Sequence, residues 1–192
     1  MNKKIKLFLL IMVILCIFVV RVEGVYMVDD ETNEREFKKT IYYENIPITI
    51  EGQYYIYKES MKNNVSYEMI LAMMKLESNF KNDIISKTND YGIMQINKKY
   101  ADWYGELANL TEYDLTDFKD NVRMGISGIA FYCDFYRDKG MSEELIFYYA
   151  LNSYNMGING YKQYVSNNTN ISRAYDRRIL DYKMILERRK YE

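Results

Sequence analysis

The sequence contains no histidine. That absence excludes Ser-His and Cys-His nucleophilic pairs and removes the commonest ligand of a catalytic zinc. Acid–base chemistry, if the chain does any, falls to carboxylates, tyrosine, lysine or cysteine. One proline and nine glycines in 192 residues are too few for an all-β chain with many tight turns. Only two cysteines occur, Cys16 and Cys133. Cys16 lies in an apolar run near the N-terminus, so a chain trimmed of that run has no partner for Cys133 and no internal disulfide. An excess of charge of one sign is also missing. The formal net charge is −1, which gives no field for a nucleic-acid partner.

What is present begins with a segment built for export. Lys3, Lys4 and Lys6 precede fourteen uninterrupted apolar residues, Leu7 to Val20, followed by "RVEG" with Val22 and Gly24 at the spacing of a cleavage site. This is the pattern of a secretory signal over residues 1–24, and the same stretch over residues 5–22 can alternatively stay on as a membrane anchor. The residue before Cys16 is Leu15, not the small residue of a lipoprotein signal. Removing residues 1–24 takes out four basic residues and one acidic one, which moves the net charge from −1 to −4.

Residues 25–53 read as a linker and a short extended segment. The polar stretch 25–40 carries no apolar period, and Ile46, Ile48 and Ile50 alternate around Pro47 as in a short edge strand. Residues 54–192 read as the functional domain. A helix is expected from about Tyr54 to the "KNN" at Lys62–Asn64. A clearer one follows Ser66, a good N-cap, with Met69, Ile70, Met73, Met74 and Glu77 at helical spacing. Residues 81–101 form a structured loop or small β excursion, since Asn89, Asp90 and Gly92 are turn formers. A third helix is expected from about Asp120 to Lys139, with Cys133 as a small buried hydrophobe on its inner face. Gly125 and Gly128 on that helix allow another backbone to come close. A fourth helix, capped by Ser142, ends at Gly157. After a loop, "GINGYKQY", a last helix takes Ile171 to about Lys190. The pattern is mainly α with one irregular polar loop.

Two carboxylates in this frame raise a question of chemistry. Glu77 ends an apolar helical run, where the negative end of the helix and apolar neighbours both favour the protonated acid. Asp90 follows thirteen residues later in "TNDYGIMQIN". Three segments stand out together: "ESNF" (Glu77–Phe80), a serine nine residues beyond Glu77 (Ser86) followed by "GIMQ" (Gly92–Gln95), and "ALNSYNMG" (Ala150–Gly157).

In this order and spacing, over roughly residues 54 to 190, the three segments resemble the soluble lytic transglycosylase family. The resemblance implies a lysozyme-like helical domain that cleaves the β-1,4 bond between N-acetylmuramic acid and N-acetylglucosamine in peptidoglycan. It implies Glu77 as the single catalytic acid and base, with a 1,6-anhydro product made when the muramyl C6 hydroxyl attacks in place of water. By the same likeness Ser86, Gln95, Tyr154, Asn155 and Tyr175 lie near the acid or the sugar: Ser86 as a hydrogen-bond partner, Gln95 and Asn155 divided between substrate contact and backbone support, the Tyr154 hydroxyl as a partner of Glu77 or substrate, and Tyr175 lining the cleft. No metal or other cofactor is implied. The expected partner is the peptidoglycan glycan strand, met outside the cytoplasm by a monomer.

"NDYGIMQIN" also resembles the sugar-binding strand of animal-type lysozymes, in which the matching Asp is a second catalytic carboxylate. The thirteen-residue separation leaves little room for the longer β excursion that aims that Asp at the sugar, and the disulfides of those lysozymes are missing. A turn role is therefore expected for Asp90. A non-catalytic wall-binding or assembly protein that retains the fold is the other alternative.

Overall fold

A computed structural model of the protein describes residues 30–167 and 174–189. Residues 1–29, the export segment among them, and residues 168–173 and 190–192 lie outside the described residues. The chain divides into two compact units, residues 1–42 and 43–192. In the first, Asp30–Thr40 forms helix α1, where a linker without regular structure was expected. The N–H groups of Ile41 and Tyr42 both bond the Phe37 carbonyl and close its last turn.

The second unit opens with turns, not the expected strand. Ile46 and Ile48 are buried, but Pro47 has no N–H to give a ladder. The backbone here is satisfied by one buried amide instead. Gln53 donates from Nε2 to the carbonyls of Tyr43 and Ile48 and accepts from the Tyr43 N–H and the Tyr67 hydroxyl. Thr49 then caps helix α2, Ile50–Lys62, through the N–H of Gly52, so the helix starts four residues ahead of Tyr54.

Helix α3, Tyr67–Ser78, is the centre of the core. Ser66 caps it by accepting from the Met69 N–H, and Met69 through Met74 are all buried. A helix apolar on every side must be surrounded, and α2 and helix α7 (Ala174–Arg189) pack on it. Asn79 ends α3 in the left-handed conformation (φ 53°, ψ 40°).

The excursion predicted for residues 81–101 is a two-stranded antiparallel hairpin. β1 (Asp90–Tyr91) pairs with β2 (Ile96–Asn97) in the register Asp90 to Asn97 and Tyr91 to Ile96. "GIMQ" is its turn. A 3₁₀ turn at Lys98–Tyr100 leads into a short helix, α4, Ala101–Leu107. Helix α5, Phe118–Arg137, is capped by Asp117, which accepts from the N–H groups of Lys119 and Asp120. The two glycines of α5 do admit a close neighbour, but it is side chain and not backbone. A Cβ at Gly125 would stand 2.6 Å from Met94 Cβ, and one at Gly128 would stand 2.2 Å from Tyr104 Cε1. The hairpin turn and α4 thus dock on α5. Cys133 is buried in α5, and burial pushes its thiol up to about 12.

Helix α6 runs over Glu143–Asn167 and is broken at Gly157 (φ 73°, ψ 156°). The expected loop "GINGYKQY" is therefore helical beyond the break. Tyr161 explains the resumption: its ring is buried and meets Tyr148 and Tyr149 edge-on, at 6.1 and 5.6 Å between centroids.

Candidate active site

Glu77 sits in the last turn of α3, one residue before the helix ends. Ser78, beside it, fixes that end: its Oγ lies 3.0 Å from the Met74 carbonyl and 2.8 Å from the Ile93 carbonyl. The helix terminus is thereby tied to the hairpin turn. The Glu77 side chain faces a cleft of about 630 Å³. Burial raises its carboxyl, the hydrogen bond from Tyr175 lowers it, and the charge of Asp90 raises it again; the balance is about 7. Tyr175, in the first turn of α7, donates its hydroxyl directly to Glu77 Oε1. Near neutral pH this carboxyl is therefore as often protonated as not.

Asp90 lines the same cleft from β1. Its environment is the opposite of that of Glu77. Burial pushes its carboxyl up, but hydrogen bonds from Ser86, Thr88 and Asn97 together hold it below the usual value. Ser86 Oγ donates to Oδ2 at 2.6 Å, Thr88 Oγ1 donates to the same oxygen, and Asn97 Nδ2 donates to Oδ1 at 2.6 Å. Both oxygens of Asp90 are thus occupied by its own loop and strand partner.

The other residues singled out from the sequence divide in two. Gln95, Tyr154 and Asn155 line the cleft with Glu77. Gln95 takes a positive φ of 50° and donates from Nε2 to the Gly92 carbonyl at 2.8 Å, so its amide closes the turn. Tyr154 does not bond Glu77. Its buried hydroxyl donates to the Met94 carbonyl at 2.9 Å, bracing the same turn from α6. Asn155 is exposed on the cleft rim. Ser86 departs from expectation: it lies outside the cleft lining and serves Asp90 and the N–H groups of Thr88 and Asp90. Tyr175, expected in the cleft wall, also lies outside the cleft lining and instead meets Glu77 as its hydrogen-bond donor.

One wall of the cleft had no assignment from the sequence. Trp103 of α4 meets Tyr104 at 4.9 Å, Phe131 at 5.2 Å with perpendicular rings, and Tyr132 at 6.0 Å between centroids. All four line the cleft, with Tyr100 at 52% exposure beside them. Aromatic faces of this kind stack on the apolar faces of sugar rings. The lone tryptophan was the available signal, but α4 was not foreseen and nothing in the local pattern points Trp103 into a cleft. The segment around the α6 break, Met156 to Gly160, lines the cleft as well. Among the described residues no group of three or more His, Cys, Asp or Glu is placed to hold a metal ion.

Comparison with known proteins follows this geometry. The family model described as the Transglycosylase SLT domain matches residues 54–176, well over half of the chain. No curated protein matches in sequence. Among solved structures, an inactive mutant of the lytic transglycosylase Slt from Pseudomonas aeruginosa shares 16% identity and aligns with a TM-score of 0.60, over 81% of this chain and 27% of that one. The 70 kDa soluble lytic transglycosylase from Escherichia coli, also 16% identical, aligns with a TM-score of 0.58 over 70% of this chain and 24% of that one. The chain thus spans about a quarter of the length of these proteins. At this identity the likeness is one of fold, the lysozyme-like helical fold expected from the sequence.

Proposed function

Because the chain belongs to the Transglycosylase SLT domain family, we propose that it is a peptidoglycan lytic transglycosylase that uses Glu77 as its single acid and base. The observation that carries this reading is the half-buried Glu77 carboxyl, with a pKa of about 7, bonded by Tyr175 and open to an aromatic-walled cleft.

The chemistry follows from where the proton sits. The Tyr175 hydroxyl occupies Oε1, so the acidic proton of Glu77 rides on Oε2 and faces substrate. As the bond between muramyl C1 and the glycosidic oxygen lengthens, Glu77 passes this proton to the departing oxygen, and positive charge builds at C1 and the ring oxygen. The substrate's acetamido group assists at C1. Glu77, now ionised and steadied by the Tyr175 hydrogen bond, takes the proton of the muramyl C6 hydroxyl as O6 closes on C1. The product is the 1,6-anhydro sugar, and Glu77 ends the cycle protonated again. The aromatic wall excludes water and holds the ring so that the internal hydroxyl outcompetes it.

Peptidoglycan lies outside the cytoplasm, and the export pattern of residues 1–24 fits that placement. The test is digestion of purified peptidoglycan followed by mass spectrometry. We expect 1,6-anhydromuropeptides, with no effect of a chelator. Products ending only in reducing muramic acid would replace this reading with a hydrolytic one.

That hydrolytic reading has one observation in its favour, since ionised Asp90 faces the same cleft as Glu77. Its occupied oxygens oppose it. Ser86, Thr88 and Asn97 already bond both Asp90 oxygens, and the lone pairs so engaged are withdrawn from a developing cation at C1.

A further inference from the structure

Helix α7 packs one side against α3 and shows the other to solvent. Ile179 and Leu186 are buried on the inner side. On the outer side the exposed residues beyond Ala174 are Arg177, Arg178, Asp181, Met184, Ile185, Arg188 and Arg189. Helical geometry places all of them within an arc of about 140°. Four arginines thus stand against one carboxylate, in a chain whose net charge is −1. None of the four has an ion pair among the described residues. The neighbouring acid, Glu187, is taken by Lys183, whose Nζ lies 2.5 Å from it. Between the arginines, Met184 and Ile185 are each 47% exposed. The cationic surface continues onto the end of α3, since Lys75 and Lys81 share a depression with Arg178 and Ile185.

We propose that this outer face of α7 docks on an anionic lipid surface, with its arginines on headgroup phosphates and Met184 and Ile185 in the interface. The mixture of groups selects that occupant. A soluble polyanion, such as a nucleic acid or a phosphate polymer, uses the cations but gives two large apolar side chains nothing to bury against. A bilayer surface takes both kinds. Phosphates meet the guanidinium forks, and the apolar side chains and arginine stems reach the acyl boundary. Among the described residues no helix is long and apolar enough to cross a membrane, so this contact is peripheral. The export segment gives the chain a route to that surface. If residues 5–22 stay as an anchor, residues 23–42 span at most about 70 Å at full extension and keep the second unit near the bilayer. No residue of the face lines the cleft, so docking leaves the cleft open to its substrate.

The test uses the full protein with vesicles of phosphatidylcholine alone, or of phosphatidylcholine and phosphatidylglycerol in equal parts. Hydroxyl-radical footprinting reads the oxidation of Met184, with Met61 of α2, 61% exposed, as the internal reference. Relative to Met61, Met184 should be oxidised about fivefold more slowly on anionic vesicles than on neutral ones, and molar salt should abolish the difference by screening. The variant Arg177→Gln/Arg178→Gln/Arg188→Gln/Arg189→Gln should abolish it as well. All four positions are exposed and without ion pairs, so its melting temperature should match that of the wild type. The salt arm answers the same question with no substitution at all. Equal oxidation of Met184 on both vesicles, or protection that survives either molar salt or the four substitutions, would overturn the proposal. So would soluble polyphosphate that shields Met184 as strongly as the anionic vesicle does, since the face would then serve a phosphate polymer and not a lipid surface.

Discussion

At Glu77 two requirements meet in one side chain. On the proposed mechanism it holds a proton near neutral pH and takes one back moments later. Burial raises the carboxyl to about 7, and the Tyr175 hydroxyl keeps it from rising further. Glu77→Gln removes both functions. General acid–base catalysis is worth roughly 10²–10⁴-fold, and one group fills both roles here, so the loss should reach or pass the upper end. Asp90→Asn keeps the turn-forming shape of its side chain and deletes only charge. The single-carboxylate reading expects a loss of about tenfold or less, roughly 1.4 kcal/mol in the barrier. Rates of both variants on one peptidoglycan preparation decide between the readings, since comparable thousandfold losses would make Asp90 a catalytic partner. Tyr175→Phe gives a different signature. Without the hydroxyl the charged form of Glu77 loses its donor, so its pKa climbs above 7. Because the protonated form starts the reaction, wild-type kcat/KM should decline above about pH 7. In Tyr175→Phe that decline should move to higher pH while the plateau rate falls. A pH profile with an unmoved basic limb would mean that Tyr175 does not tune the acid.

At the scale of elements, the cleft depends on a hairpin that is too short to stand alone. Two-residue strands supply few ladder bonds, and the turn is held from outside. Ser78 holds it from α3 and Tyr154 from α6. Asn121, fully buried near the start of α5, contributes most: its Oδ1 accepts from the Met94 N–H, and its Nδ2 donates to the carbonyls of Tyr91 and Leu115. Asn121→Ala strands these groups without partners. The expected cost is about 2–4 kcal/mol, with activity lost beyond what the unfolded fraction explains; thermal melting alongside rates at low temperature separates the two effects. Gly92 is bound to the same residue. Its φ is 73°, and a Cβ there would fall 2.4 Å from Asn121 Nδ2, so only glycine fits this place in the turn. None of these clamps could be read in advance. Asn121 is one polar residue at the start of an amphipathic helix, and its three partners lie 6 to 30 positions away. The α3 helix and the hairpin could be read, because capping, apolar period and turn chemistry are local. Helix α4 and the helical run beyond Gly157 could not. The first is seven residues long, and the second resumes after a glycine that does break the helix, held by the burial of Tyr161.

For the whole molecule, the proposed catalytic acid is placed at the cost of some stability, and that cost depends on pH. The motif spacing that singled out Glu77 reflects a domain in which the end of α3, the hairpin and α6 line one cleft and α7 supplies the Glu77 hydrogen bond, so the family pattern was visible before any contact was. Which contacts each motif residue makes was not visible: Tyr154 and Gln95 went to the turn, and Tyr175 to the acid. The thermodynamic consequence is testable without substrate. An exposed Glu titrates near 4.5 and half-buried Glu77 near 7. Between those values the folded protein binds more protons than the unfolded chain, so stability falls as pH rises through this window. Below pH 4.5 Glu77 is neutral in both states and costs nothing extra. Above pH 7 it is charged in both, and the full penalty is present, at most about 3 kcal/mol. Glu77→Gln stays neutral throughout and can still accept the Tyr175 hydrogen bond through its amide oxygen. Its melting temperature should match that of the wild type near pH 4, rise above it between pH 4.5 and 7, and hold a constant advantage of several degrees beyond pH 7. Melting curves of both proteins across that range are the measurement. A variant less stable than the wild type at pH 8 would make ionised Glu77 a structural hydrogen-bond hub, and its perturbed carboxyl would no longer mark a catalytic acid.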